Sequence, residues 1–293
     1  MHPLPRAAYL PASGITDQQV TFYEEYGYLI GENLLTAAEI QALRDESVAI
    51  FRGERGDIPG VLPPTPGATP SETLRKYIAV HFPHKISPLV RDYLAHPKIT
   101  PVLQALLSPN VKCMQSMLFV KGPGKPGQSW HQDEYFIPTR DRSLIGAWIA
   151  VDDADEDNGC LWIIPGSHRP GYIRRRVDYA GDDFGDRDVC TLEPYTEADA
   201  VPVAVPSGSV VFFHGHLLHS SRRNRTADRF RTALVNHYMS AESQLPWDQD
   251  GRLEPTQDLR DIVMVAGKDP YAHKGLVDVS TPFLRANQAN FKA

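Results

Sequence analysis

From Val111 onward the chain breaks into short runs rich in β-branched and aromatic residues, each closed by a turn signal. VKCMQSMLFV gives way to GPGKPGQ, and LIGAWIAVDD to ADEDNG; CLWIIPG, VPVAVPSG, SVVFFHG and FRTALVNHYM follow. Several strands of this length at this spacing specify a sandwich or barrel rather than a helical bundle. Turn formers are plentiful throughout, with 25 Pro and 21 Gly among 293 residues. No internal repeat appears at a period of roughly 20–50 residues.

Upstream of Val111 the texture is helical. Thr16 is placed to cap DQQVTFYEEYG, and Gly27 to stop it. Tyr28-Leu29-Ile30 reads as a short strand. Thr36 precedes AAEIQALRDESVAIFRG, whose apolar set is Ile40, Leu43, Val48 and Ile50. Residues 53–72, rich in Gly, Pro and Thr, read as a mobile loop able to serve as a lid. A third helical stretch is expected around 88–107, and the last forty or so residues carry no clear pattern. The expectation is one domain over 1–293: a mostly helical section (1–110), a β core (111–240) and a C-terminal extension (241–293).

Composition narrows the function. Hydrophobic residues make up 42% and the net charge is −6. That is enough apolar content for a real core, and it lacks the basic excess of a nucleic-acid binder. No apolar stretch approaches the roughly 20 residues that span a bilayer. Prolines interrupt the N-terminal MHPLPRAAYLPASG, against a secretory signal, and the terminal Phe-Lys-Ala is no peroxisomal address. Cys113, Cys160 and Cys190 are an odd number at wide spacing, with no CxxC pair. These features lead to an expectation of a cytoplasmic protein, monomer or homodimer, acting on a small molecule with no nucleic-acid or membrane partner.

The chemistry is carried by histidines, of which there are 11. His131-Gln132-Asp133 is the informative spacing. Alternate residues of an extended chain share a face, so an H-x-D segment aims an imidazole and a carboxylate at a common point. One more histidine completes a 2-His-1-carboxylate triad, which leaves metal positions open and suits non-haem Fe(II). His214, His216 and His219 in SVVFFHGHLLHSS are the candidates, and position alone does not choose among them. Arg231 lies 12 residues beyond His219 (231 − 219), on the far side of the turn RRNRTADR. If Arg231 faces a barrel interior an anion must meet it, because a buried unpaired guanidinium is very costly, and its fork matches a carboxylate.

WHQDEYFIP, LIGAWIAVDDADEDNGCLWIIPGSH, GSVVFFHGHLLHSS and FRTALVNHY, in that order and spacing, resemble the phytanoyl-CoA dioxygenase family of Fe(II)/2-oxoglutarate oxygenases. The opening FYEEYGYLIGENLLTAAEIQALR is similar to that family's start, so the likeness covers roughly 15–240. It implies a mainly β fold, a double-stranded β-helix (jelly-roll, cupin-like) core with flanking helices. It implies that His131, Asp133 and His219 ligate iron and that Arg231 grips the distal carboxylate of 2-oxoglutarate. Ser221 would be a second carboxylate partner, and Gln115, Met117, Trp148 and Lys85 would line or reach the cosubstrate. His214 and His216 then become structural. The implied cofactors are Fe(II), with 2-oxoglutarate and O₂ as cosubstrates.

The implied activity is a dioxygenase that hydroxylates an unactivated C–H of a small organic molecule and releases succinate and CO₂. Desaturation, epimerisation and ring formation are alternative outcomes of the same oxidant. Relatives that halogenate carry Ala or Gly where this chain keeps Asp133, which favours hydroxylation or another oxidative outcome over halogenation. A zinc hydrolase with the same three ligands leaves Arg231 unexplained, and a non-catalytic jelly-roll binding protein leaves an intact ligand set unexplained. Tyr135, Phe136 and Trp162 are candidate substrate contacts. Arg174-Arg175-Arg176 and Arg222-Arg223 read as solvated charge runs, and His168 as a surface histidine after a turn.

Overall fold

The longest strands define the frame of the computed structural model, which describes residues 4–243 and 261–287. Fourteen strands are present among these residues: β1 (Tyr28–Gly31), β2 (Tyr77–His81), β3 (Val111–Lys121), β4 (Gln128–His131), β5 (Ile145–Ala150), β6 (Leu161–Ile163), β7 (Arg176–Asp178), β8 (Asp188–Cys190), β9 (Val201–Val203), β10 (Val210–His214), β11 (His219–Ser221), β12 (Arg231–Ser240), β13 (Val263–Ala266) and β14 (Phe283–Ala286). A large antiparallel sheet runs β1-β10-β5-β12-β3-β2-β14, with β13 also on β3, and it faces a smaller one, β4-β11-β6-β9. This is the double-stranded β-helix that the family resemblance implies; strand spacing alone indicated a sandwich or barrel. The β7–β8 hairpin stands apart.

β12 explains why a site forms between the sheets. All ten of its residues are buried, and with a period of two it presents different chemistry to each side. Arg231, Val235 and His237 line a cavity between the sheets. On the opposite face the Tyr238 hydroxyl donates to the Leu94 carbonyl at 3.0 Å, in a flanking helix. The helices α1 (Asp17–Tyr26), α2 (Ala37–Phe51), α3 (Pro70–Leu74), α4 (Pro88–Leu94) and α5 (Thr100–Leu106) supply the cover. Ile40, Leu43, Ile50 and Phe51 of α2 join Tyr93 and Leu94 of α4 in the same hydrophobic core as Tyr238 and Leu234.

Local signals mostly act as the sequence implies. Thr36 closes a capping box with Glu39 at the head of α2, and Gly27 ends α1 in the left-handed conformation at φ 81°. Thr16 differs: its hydroxyl bonds the Gln19 side chain and caps no backbone N–H. The expected helix over 88–107 divides into α4 and α5. Pro97 has no N–H and disfavours helix at the residue before it, and the break falls there, with the His96 ring accepting from Lys98 N at 3.3 Å.

Two expectations about loops are corrected. Residues 53–72 line no part of the cavity between the sheets. They are tied down instead: Ile58 is buried, the Pro59 carbonyl accepts from Leu284 N at 2.8 Å, and Leu62 N donates to the Tyr77 hydroxyl at 2.8 Å. The C-terminal extension is not featureless, because β13 and β14 both add to the large sheet; residues 244–260 lie outside the described part. All three cysteines are free and buried. Among the described residues no helix is long and apolar enough to cross a membrane.

Candidate active site

β4 and β11 are antiparallel neighbours whose register sets His131 directly opposite His219. Their ring centroids lie 4.0 Å apart. The chain leaves β4 after His131 and passes through Gln132, which is extended (φ −124°, ψ 128°), before Asp133 opens a 3₁₀ turn. That single extended residue preserves the alternation the H-x-D spacing needs. Asp133 turns into the cavity. Gln132 turns away, donating to the His216 carbonyl at 2.8 Å and accepting from Arg174 N at 2.8 Å. Asp133 Oδ1 stands 3.6 Å from His131 Nε2 and 3.5 Å from His219 Nε2.

The three side chains are buried, and their ligand atoms all lie within 4.8 Å of one another. Each imidazole is oriented from behind: His131 Nδ1 meets the Ser129 carbonyl at 2.7 Å, and His219 Nδ1 the Leu217 carbonyl at 3.0 Å. An N–H bound to a carbonyl puts the proton on Nδ1 and leaves the Nε2 lone pair facing the common point. Burial, then the neighbouring His219, pushes the His131 imidazole down to about 3. Burial alone would raise the Asp133 carboxyl, but the His219 and His237 imidazoles outweigh it and hold the acid well below the usual carboxylate range. Two neutral-capable imidazoles and a carboxylate, buried and converging, fit a divalent non-haem iron.

His237 was not among the sequence candidates. From β12 its Nε2 reaches Asp133 Oδ2 at 2.9 Å, leaving Oδ1 toward the two ligand histidines. The alternation Arg231, Val235, His237 on one strand was the available signal. Gln128 was also missed; its side-chain amide lies 3.1 Å from His131 Nε2.

A cavity of about 610 Å³ opens from this cluster, a size suited to small molecules. Gln115, Met117, Trp148, Ser221 and Arg231 all line it. Arg231 is 5% exposed. Its Nε–H donates to the Gly159 carbonyl at 3.1 Å and its guanidinium lies 5.6 Å from the Trp148 ring centroid. No carboxylate pairs with it among the described residues, and burial lowers it to about 10. Lys121, its register partner across β12 and β3, is likewise buried. The Lys121 ammonium donates to Ser221 Oγ and to the Arg222 carbonyl, each at 2.7 Å, and burial followed by the charge of Arg231 holds it well below the usual lysine range. Two adjacent buried cations with no acid between them form a ready receptor for one carboxylate. Lys121, in register with Arg231, was not among the sequence candidates.

Lys85 stands elsewhere. It lines no part of this cavity, and its ammonium binds Asp261 Oδ2 at 2.8 Å, the Ser280 carbonyl at 2.7 Å and the Asp278 carboxylate. His214 ends β10, with Nδ1 accepting from His216 N at 3.0 Å, and neither faces Asp133. Phe136 lines the cavity, whereas Tyr135 is 45% exposed and Trp162 lies under the Arg222 guanidinium at 3.6 Å. The basic runs are not simply solvated: Arg174 is buried, donating to the Leu192 and Glu193 carbonyls, and Arg176 pairs with Asp188 at 2.5 Å. His168 is buried too, its Nε2 3.1 Å from the Glu24 carbonyl.

Comparison with known proteins agrees with this geometry. A family model described as phytanoyl-CoA dioxygenase matches residues 23–233. The zebrafish (Danio rerio) protein named phytanoyl-CoA dioxygenase domain-containing protein 1 is 30% identical over 84% of this chain and 97% of its own. The peroxisomal phytanoyl-CoA dioxygenase of Rattus norvegicus is 33% identical over 77% of this chain and 68% of its own. Among solved structures, the non-haem α-ketoglutarate-dependent carbocyclase SnoK of nogalamycin biosynthesis superposes with a TM-score of 0.63 at 26% identity, covering 87% of this chain and 98% of that one. The chain belongs to the phytanoyl-CoA dioxygenase family of iron- and 2-oxoglutarate-dependent dioxygenases.

Proposed function

We propose that His131, Asp133 and His219 hold Fe(II), that Arg231 receives the distal carboxylate of 2-oxoglutarate, and that the enzyme hydroxylates a C–H bond of a small organic molecule. One observation carries the reading: a buried His-Asp-His cluster shares a cavity with a buried arginine that has no acid partner among the described residues. When bound, iron with 2-oxoglutarate and O₂ supplies the oxidising chemistry that yields succinate and CO₂.

The protein's part is orientation and exclusion. The backbone carbonyls behind His131 and His219 fix both tautomers, and His237 fixes the Asp133 carboxylate. Arg231 and Lys121 neutralise the far end of the cosubstrate, with Ser221 held between Lys121 and the Gln128 N–H (3.2 Å). Trp148, Met117 and Gln115 shape the space around it. The apolar part of the wall, Phe136, Ile137, Leu161, Phe213 and Val235, limits water at the reacting centre once substrate fills the cavity, which strengthens these electrostatic contacts.

A zinc hydrolase has no use for a buried cation placed to receive a second carboxylate, and a purely structural jelly roll has no use for the cluster. The retained Asp133 fills the position that halogenating relatives leave open. The test is a small-molecule library screened for substrate-stimulated succinate release under ¹⁸O₂. Hydroxylation is expected to place one ¹⁸O in the product. A product that lacks the label but has lost hydrogen, closed a ring or inverted a centre assigns the alternative outcome. The absence of any 2-oxoglutarate turnover with Fe(II) rejects the assignment.

A further inference from the structure

β14 lies at the edge of the large sheet beyond β2. Its register places Phe283 opposite His81 and Arg285 opposite Ala79. On β3, Phe119 pairs with Ala79 and Met117 with His81. Residues in register share a face, and this face is the cavity wall: His81, Met117, Phe119 and Arg285 all line it. The row continues from Phe119 to Ala233 on β12, two residues from Arg231. Three strand spacings of about 4.8 Å, plus two residues of rise, put the backbones of Arg285 and Arg231 roughly 15 Å apart. An adjoining cavity shares Met117, Phe119 and both arginines, so the two cations front one continuous space.

Arg285 is exposed to solvent where it lines this space, and it has no ion-pair or hydrogen-bond partner among the described residues. Beside it, His81 Nε2 is buried and unpartnered. The His81 ring is held flat against Phe283, with centroids 4.2 Å apart and planes at 9°. Burial, then the charge of Arg285, lowers His81 to about 4, so its imidazole is neutral near pH 7. Among the acids lining this cavity, Asp133 belongs to the ligand cluster and Asp186 accepts from Ser129 N at 2.9 Å. β14 is also firmly held. Leu284 N donates to the Pro59 carbonyl at 2.8 Å, a Cβ on Gly60 would lie 2.1 Å from the Leu284 carbonyl oxygen, and Lys85 gathers Asp261, Asp278 and Ser280 just ahead of the strand.

We propose that β14 is a substrate-recognition strand, in which Arg285 and His81 Nε2 receive a carboxylate carried by the primary substrate. The proposal rests on the dioxygenase reading above and names its substrate class: an organic acid whose charge stays at β14 while its body crosses the apolar Met117 and Phe119 toward the ligand cluster. The anion at Arg231 is a different one, because Arg231 stands beside Lys121 and Ser221, three strands across the sheet from Arg285.

The test loads the protein anaerobically with Fe(II) and saturating 2-oxoglutarate, then compares a set of small monocarboxylates with their methyl esters by thermal shift. At least one acid is expected to stabilise the protein beyond 2-oxoglutarate alone, with its ester ineffective. Arg285→Gln is expected to weaken apparent affinity for that acid about 10- to 100-fold, as for loss of a charge-assisted pair. Arg285→Lys should recover part of it, and the shift from 2-oxoglutarate itself should persist in both variants. Acids that bind Arg285→Gln as tightly as wild type, or acids that never outperform their esters, overturn the proposal. If 2-oxoglutarate gives no shift in wild type, the dioxygenase reading falls first and this inference falls with it.

Discussion

At the scale of single residues, the site divides into groups that would touch the ligands and groups that hold those in place. Arg231 is expected to act on the cosubstrate. Hydrogen bonds to a charged group are worth about 1.5–3 kcal/mol, so Arg231→Met should raise the KM for 2-oxoglutarate by at least tenfold in a succinate assay; an unchanged KM removes Arg231 from that role. His237 is a positioning residue. Its removal frees Asp133 Oδ2, and losses of this kind cost about 10- to 100-fold in metal affinity. His237→Leu should therefore weaken Fe(II) binding by that factor in equilibrium dialysis, and His237→Gln, which keeps a donor, should weaken it less. Equal affinities in all three proteins would show that the 2.9 Å contact does not orient the ligand. The H-x-D spacing and Arg231 were legible in the sequence as candidates, because H-x-D suits a strand and Arg231 follows the histidine-rich run across a turn; the family resemblance joined them into one set. The choice of His219 over His214 and His216 was not legible from spacing alone. It depends on the β4–β11 register that pairs His219 with His131, a fact of tertiary structure, and the family resemblance supplied it earlier. His237, Lys121 and Arg285 were hidden for the same reason: each looks like an ordinary polar residue in a strand until its partner strand is known.

At the scale of elements, alternating patterns and caps were readable while edges and ties were not. The capping box at the head of α2 is local, written in Thr36 and Glu39. Thr36→Ala should lower stability by about 1 kcal/mol, seen as a fall of a few degrees in Tm; no change would mean that tertiary packing alone holds that end of α2. The C-terminal strand illustrates the opposite case. Nothing in VDVSTPFLRA announces an edge strand, because β14 is fixed by remote contacts to Pro59 and by the Lys85 cluster. Lys85 was expected to reach the cosubstrate and instead secures this segment. Lys85→Met is expected to speed amide exchange across 278–286 selectively, with β12 unaffected. Uniform exchange in the two proteins would show that β14 does not depend on the clamp.

For the molecule as a whole, the many buried neutral histidines tie stability to pH. Burial, the dominant cause in each case, lowers His81, His84 and His216 to about 4 and His214 to about 3. In the unfolded chain each would titrate near 6.5. Between those values the unfolded state binds more protons than the folded one, so stability rises with pH. It is complete above about pH 6.5 and is lost progressively as the pH falls toward 4, by an amount on the order of 1–2 kcal/mol per histidine at pH 5. The apoprotein Tm should therefore drop steeply between pH 7.5 and 5; a flat profile would contradict the burial of these rings. The overall architecture was the most legible feature, because a two-sheet β core follows from many short strands at regular spacing and does not depend on any one of them.

The central claim is that the His131, Asp133 and His219 side chains bind one catalytic iron. Anaerobic Fe(II) dialysis of wild type and Asp133→Ala, followed by the rate of succinate formation from 2-oxoglutarate in air, tests it most directly. Wild type is expected to retain a single iron per chain and to form succinate, and Asp133→Ala to lose both. Iron retained by Asp133→Ala at wild-type affinity, with succinate formed at the wild-type rate, would place the metal elsewhere and contradict the account.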